Sequence, residues 1–353
     1  MLKLLQGIKV LDLSRLLPGP LCSYYLAELG AEVIKIEPPE GDYARFFPPL
    51  KKDTSYAFLQ LNHNKKIVTL DLKKNSDYET FISMVVDSDV VLESFRPGVV
   101  NNLKIDFDQL KKINPKLVYC SITGYGQDGP YKNHPGHDIN YLGYAGILDQ
   151  IGNSGSAPVL TNFQIADVAG GSLHACVAIM AALVSAQKKQ QAHYLDVSML
   201  DCVIALNQMA LATFQGKMKD VPRGCDMLSG GLPFYSLYQT KDGRFMALGA
   251  LEEKFWLKFC MAIGKKEWGV WHRESRQKYP EIAQALSQLF ISKNMHEWVS
   301  LLENQECCCT PILRISETLL DPQIKARAIF VSKSRPEEGE FIACPFPVKI
   351  KSS

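Results

Sequence analysis

The chain has 353 residues, 46% of them hydrophobic and 22% charged, with 39 Lys and Arg against 37 Asp and Glu. This is the composition of a folded globular protein, and a net charge of +2 gives no basic field for nucleic acid. The longest unbroken apolar run covers ten residues, 175–184, too short to span a bilayer, so no membrane role is expected.

The first forty residues read as strand, helix, strand. Residues 8–13 are a short apolar run, Pro18-Gly19-Pro20 breaks the chain, 21–29 has helical spacing with Gly30 at its C-cap, and 32–36 is strand-like. The alternation continues with β-rich segments at 66–72, 90–92, 117–123 and 194–197. Helical patterns fall at 78–87, 173–186 and 198–214. Strands alternating with helices predict an α/β fold with a parallel sheet covered on both faces. Composition shifts after about residue 217, beyond which all four tryptophans lie. A large domain is placed at 1–214, a smaller one at 215–310, and 311–353 returns to the first.

Ten cysteines are spread along the chain without a CxxC pair, and Cys307, Cys308 and Cys309 are consecutive. They read as reduced and mostly buried, with no metal site, which points to the cytoplasm. The run Gly124-Tyr125-Gly126-Gln127-Asp128-Gly129 matches G-x-G-x-x-G after a strand. A dinucleotide site also needs a helix to open at once, and here Pro130 and a polar loop follow, so no dinucleotide is expected.

The chemistry-bearing stretch is Gly136-His137-Asp138-Ile139-Asn140-Tyr141, with Asp167 thirty residues further on, before Gly170-Gly171. His137 reads either as a hydrogen-bonded structural histidine or as an acid/base group. Asp167 reads as a helix N-cap or as its partner. Two groups of different reference pKa can hold opposite protonation states near neutrality.

These segments resemble the α-methylacyl-CoA racemase branch of the family III CoA-transferases, the CaiB–BaiF group. The resemblance runs through Gly19-Pro20, Leu29-Gly30-Ala31, Asp71-Leu72-Lys73, Phe95-Arg96-Pro97-Gly98 and Gly249-Ala250-Leu251-Glu252. It implies a large Rossmann-like parallel-sheet domain with a smaller α+β domain, in an interlocked homodimer. It also implies that His137 and Asp167 flank the α-carbon of a 2-methylacyl-CoA thioester. One removes the α-proton and the other returns a proton to the opposite face. Glu252 would orient His137; on its residues alone it also reads as a helix-start carboxylate.

CoA contacts carry across to Leu70, Asp71, Leu72, Lys73, Ser94, Phe95, Arg96, Gly136, Asp138, Ile139, Asn140 and Tyr141. The chain departs from the family pattern at Pro38 and Asn102, where arginines are common. Lys65, Lys66 or Lys73 are the candidates to compensate. Backbone N–H groups near Gly170 and Gly171, at the start of the 173–186 helix, are the expected donors to an enolate oxygen. Met199, Met209, Met218 and Met227 read mostly as helical core.

Three functions follow from different classes. One is a racemase using acyl-CoA as substrate, with no separate cofactor. The second is a CoA-transferase with Asp167 as nucleophile, and the third is a non-catalytic acyl-CoA-binding relative.

Overall fold

A computed structural model describes residues 3–351. Its first unit is built on a six-stranded parallel sheet. In chain order the elements are β1 (Lys9–Asp12), α1 (Pro18–Glu28), β2 (Glu32–Glu37), β3 (Lys66–Thr69), α2 (Asn75–Val86), β4 (Val90–Glu93) and β5 (Val118–Thr123). Then come α3 (Asp138–Tyr144), a π-helical segment Ala166–Leu173 running into α4 (His174–Lys189), β6 (His193–Ser198) and α5 (Met199–Leu206). The strand order is β3-β2-β1-β4-β5-β6, with Leu11 opposite both Ile34 and Val91 and Cys120 opposite Leu195.

From β1 the chain builds outward through β2 and β3, then returns to β4 on the other side. That reversal is the topological switch point, and ligands of open parallel sheets bind outside the C-terminal strand ends there. Central strands read as unbroken apolar runs because both faces are covered. One face packs Leu11, Ile34 and Val91 against Phe81, Val85, Leu110 and Leu117.

Helix α1 begins at Pro18, not after Pro18-Gly19-Pro20. The first turn of a helix has no use for its N–H groups, so proline fits there, and Pro18 occupies N1. Gly30 follows the helix at φ +105, where a Cβ would strike Lys3. The 198–214 pattern breaks at Asn207, which leaves α5 and a separate helix Gln208–Lys217.

The helix from Ala166 to Lys189 runs for 24 residues and is long and apolar enough to cross a membrane. The ten-residue apolar run alone does not reveal this, because glycine and small polar residues interrupt it without interrupting the helix. A core helix meets the same test, and Ala175, Cys176, Ile179, Leu183 and Ala186 are buried.

The second unit comprises 147–161 and 209–322. It holds the three-stranded antiparallel sheet of β7 (Tyr235–Gln239), β8 (Phe245–Gly249) and β9 (Cys309–Pro311), with β8 central. Helices α6 (Glu253–Ala262), α7 (Tyr279–Phe290) and α8 (Met295–Leu302) cover it. Trp256 and Trp298 are fully buried, and each indole N–H donates to a carbonyl, of Trp268 (2.9 Å) and Phe290 (2.8 Å) respectively.

Segment 147–161 therefore departs from the sequence-based division. Arg223 explains it: its Nε donates to the Asp149 carbonyl (2.7 Å) and its guanidinium pairs with the Asp149 carboxylate. The chain returns to the first unit from residue 323. There the hairpin of β10 (Val331–Arg335) and β11 (Gly339–Ala343) packs Phe341 and Ala343 on Leu59.

Candidate functional site

A cavity of about 520 Å³ opens at the C-terminal ends of β1, β4 and β5 in the first unit. His137 and Asp167 both line it, with Ser94, Phe95, Arg96, Gly136, Asn140 and Tyr141. A second cavity of about 400 Å³ is lined by Leu70, Asp71, Leu72, Lys73 and Pro38. Arg15 and Phe95 line both.

His137 sits at the N-cap of α3, in extended backbone, where its N–H donates to Asn140 Oδ1 (3.0 Å). Its ring is exposed toward the cavity that it lines. The neighbouring residues explain the local chain path. Tyr141 is 5% exposed, donates its hydroxyl to the Gly136 carbonyl (2.6 Å), and packs edge-on against Tyr125. A Cβ on Gly124 or Gly136 would lie within 2.4 or 2.8 Å of the Tyr141 ring, so both positions need glycine. The loop after β5 opens no helix before Asp138, which removes the dinucleotide reading of Gly124 to Gly129 on structural grounds.

Asp138 does not line the cavity. Its Oδ1 instead accepts the N–H groups of Ala166 (2.6 Å) and Asp167 (3.0 Å), tying the start of α3 to the start of the π-helical segment. Two of the orphan donors of that helix end are thereby satisfied. Burial pushes the Asp167 carboxyl up from 3.8 to about 7, and the Asp138 charge adds to the rise. Helix-start amides would pull it down, but they are occupied by Asp138, so burial wins.

Gly170 and Gly171 lie inside the helical segment rather than at its start, which corrects their expected role as free amide donors. Their function is close approach: a Cβ on Gly170 would meet Val203 Cγ1 at 2.9 Å, and one on Gly171 would meet Pro18 at 2.9 Å. The wide π turn itself presents Asp167 on the cavity side.

Glu93 ends β4 and is missed by sequence reading. Its Oε2 accepts the Phe95 N–H (2.7 Å), which fixes the turn carrying Ser94, Phe95 and Arg96. Burial raises its carboxyl from 4.5 to about 7 against the opposing pull of Ser121 and the Phe95 amide. A fully buried polar cluster underlies the β1–α1 turn. Lys65 Nζ contacts Asp12 Oδ2 (3.1 Å), Ser23 Oγ (2.7 Å), Asn62 Oδ1 (2.9 Å) and the Pro20 carbonyl (2.8 Å). Lys65 is thus committed to the core and cannot compensate for a missing arginine. Lys66 is exposed on β3 and lines neither cavity, whereas Lys73 lines the outer one.

The remaining expectations divide. Ile139 is 44% exposed and lines neither cavity. Glu252 belongs to the second unit, where it is the exposed N-cap of α6 and makes no side-chain cap bond. Of the four methionines, Met199 lines the inner cavity. Met209, Met218 and Met227 are 60%, 78% and 44% exposed in the second unit, so they are not core. Residues of the inner cavity outside the expected set include Arg15, Lys132 and His134.

The family model for CoA-transferase family III matches residues 5–353. Alpha-methylacyl-CoA racemase of Homo sapiens is 33% identical over 348 residues, covering 99% of this chain and 87% of its own length. Acetyl-CoA:oxalate CoA-transferase of Acetobacter aceti is 30% identical over 351 residues, covering 98% of this chain and 88% of its own. A crystal structure of a CaiB/BaiF family protein from Brucella suis superposes with a TM-score of 0.85 at 26% identity, over 99% of this chain and 93% of that one. A sheet wound as 3-2-1-4-5-6, a cavity at its switch point and this full-length similarity lead to one conclusion: the chain belongs to CoA-transferase family III.

Proposed function

We propose that the protein is a racemase of 2-methylacyl-CoA thioesters, acting by 1,1-proton transfer between His137 and Asp167. The observation that carries this reading is the pair itself: a histidine and a carboxyl whose burial raises it to about 7 line one cavity. A carboxyl poised there exchanges protons readily at neutral pH, as a general acid–base group must.

In the forward sense His137, neutral, takes the α-proton and protonated Asp167 delivers one to the opposite face of the enolate. In the reverse sense ionised Asp167 is the base and the imidazolium is the acid. Both senses use the same total of one proton on the pair. Leu70, Asp71, Leu72 and Lys73 receive the nucleotide end of the thioester in the outer cavity. Ser94, Phe95, Arg96, Gly136, Asn140 and Tyr141 surround the reacting end. Glu252 is proposed to orient the His137 ring, and the working assembly is a homodimer. In support of the latter, Leu173, Val177 and Val184 leave one stripe of the 166–189 helix exposed at 43%, 64% and 54%.

The second reading, transfer of CoA through an aspartyl mixed anhydride on Asp167, is favoured by the comparable identity to an oxalate CoA-transferase. The two separate on His137. Chiral analysis of the product from a single enantiomer should show racemisation slowed by about 10²–10⁴-fold in His137→Ala. Full racemisation by that variant would remove His137 from the mechanism. Acyl transfer that survives in His137→Ala and is lost in Asp167→Asn would instead establish the transferase.

A further inference from the structure

We propose that Arg15 holds the diphosphate of the CoA substrate at the junction of the two cavities. The assignment rests on the CoA-thioester reading above and adds to it a residue outside the expected contacts.

The inner cavity holds the reacting pair, and the outer one holds Leu70, Asp71, Leu72 and Lys73. A CoA thioester threads them in a fixed chemical order: acyl thioester, pantetheine, diphosphate, then adenosine with its 3′-phosphate. The diphosphate therefore passes where the cavities meet, and Arg15 is the charged side chain common to both linings. The outer cavity offers a phosphate little else, since Glu40 and Asp71 oppose Lys73 there.

Backbone amides are few here. In a glycine-rich β–α turn, successive N–H groups face the phosphates. In Ser14-Arg15-Leu16-Leu17-Pro18-Gly19-Pro20, two of the helix-start residues are prolines without an N–H. The Leu21 N–H is taken by the Leu17 carbonyl (3.0 Å). Gly19 is buried, with its Cβ position 2.1 Å from the Ser14 side chain. A side-chain cation is needed in place of the amides.

Arg15 is built for that place. The buried Lys35 donates to the Ser14 carbonyl (2.8 Å), the Arg15 N–H donates to Ser94 Oγ (3.1 Å), and the Leu16 N–H donates to Asp42 Oδ1 (3.2 Å). Asp42 is itself held by Lys35 at 2.9 Å. Three consecutive backbone groups are fixed, with Leu16 at φ 65. The guanidinium lies over the rings of Phe95 (5.5 Å) and Tyr43 (5.8 Å), contacts that orient it without consuming its N–H donors. Among the described residues no carboxylate pairs with it. Arg45, by contrast, is committed to Glu37 through Nε (2.7 Å) and a second guanidinium nitrogen (3.1 Å). A planar fork with free donors matches phosphate oxygens.

Calorimetric titration of CoA and of 3′-dephospho-CoA into the native protein, Arg15→Gln and Arg15→Lys tests this, with melting temperature as the check on folding. Arg15→Gln should weaken both ligands by the same factor, about 10- to 100-fold. Arg15→Lys should recover part of it, and the loss should shrink as salt rises, because a screened charge is what was removed. Native-like CoA affinity in Arg15→Gln overturns the assignment. So does a loss indifferent to salt, which marks a merely structural role. A loss that vanishes with 3′-dephospho-CoA moves Arg15 to the 3′-phosphate and overturns the diphosphate placement. The two readings fail separately: tight CoA binding that depends on Arg15, without racemisation, sinks only the racemase. A native protein that binds no CoA sinks both.

Discussion

Replacing Asp138 by asparagine probes the proton pair without touching it. The amide oxygen of the new side chain can still accept the backbone N–H groups of Ala166 and Asp167, which Asp138 binds at 2.6 and 3.0 Å, so the helix start stays in place. Only the charge is removed. Asp167 stands at about 7 against an ordinary 3.8, and burial is the larger of two causes, with Asp138 the other. The Asp138 charge accounts for less than half of the rise, so Asp138→Asn should lower Asp167 by up to about 1.5 pH units. On the proposed mechanism, activity on the acid side is lost as the pair takes up a second proton, and because that limb of kcat/KM against pH belongs to the pair, it should move down by at most that amount. Well below the limb, at about pH 5, the variant should retain up to about 30-fold more of its own optimum than the native protein does. Both enantiomers should shift together, because the ratio of their kcat/KM values is fixed by the substrate's equilibrium. Chiral analysis of initial rates between about pH 4.5 and 9, with ¹³C titration of the Asp167 carboxyl, measures it. A limb that stays put or moves upward refutes the electrostatic coupling.

Two further predictions concern stability. Asp167 is raised above its unfolded value, so the unfolded chain gives up this proton first and stability falls as pH climbs from about 4 to about 7. Asp167→Asn should therefore raise the melting temperature at pH 8 and leave it nearly unchanged at pH 4; an equal gain at both would contradict the linkage. Lys65→Met should cost about 3–5 kcal/mol by leaving Asp12 under-compensated in the core. Urea midpoints measure this, with part of the loss recovered in the Asp12→Asn/Lys65→Met double variant; a loss below about 1 kcal/mol would show the pair to be dispensable.

Much of the sheet was legible because central parallel strands must be apolar on both faces, and segments such as 90–92 and 117–123 have no other reading. The misplaced start of α1 shows where local rules compete: prolines break a helix interior yet suit its first turn. Gly170-Gly171 looked like a helix entrance, whereas the structure uses both for close packing inside a helix. Lys65 reads in sequence as a candidate to compensate for a missing arginine, since little near it announces that Asp12, Ser23 and Asn62 converge on it.

Of the candidate site, the sequence displays the titratable groups and not the contacts around them. His137 and Asp167 stand out as titratable groups among glycines. Asp138, Glu93 and Arg15 matter through contacts with residues 28, 2 and 79 positions away, of which only the spacing of two is local. The placement of Arg15 directly after the first strand, at a switch point, was the available signal. Segment 147–161 reads as a loop in sequence, and its membership of the second unit follows from the long-range contacts of Asp149, Ser154 and Ser156 with Arg223 and Cys225.

The most direct test of the central claim is proton NMR of (2R)-2-methylacyl-CoA incubated with the protein in D₂O. The account predicts loss of the α-proton signal together with growth of the 2S epimer, the epimer being abolished in Asp167→Asn. An α-proton signal that persists across several acyl chains, under conditions where the same thioesters bind, would contradict it.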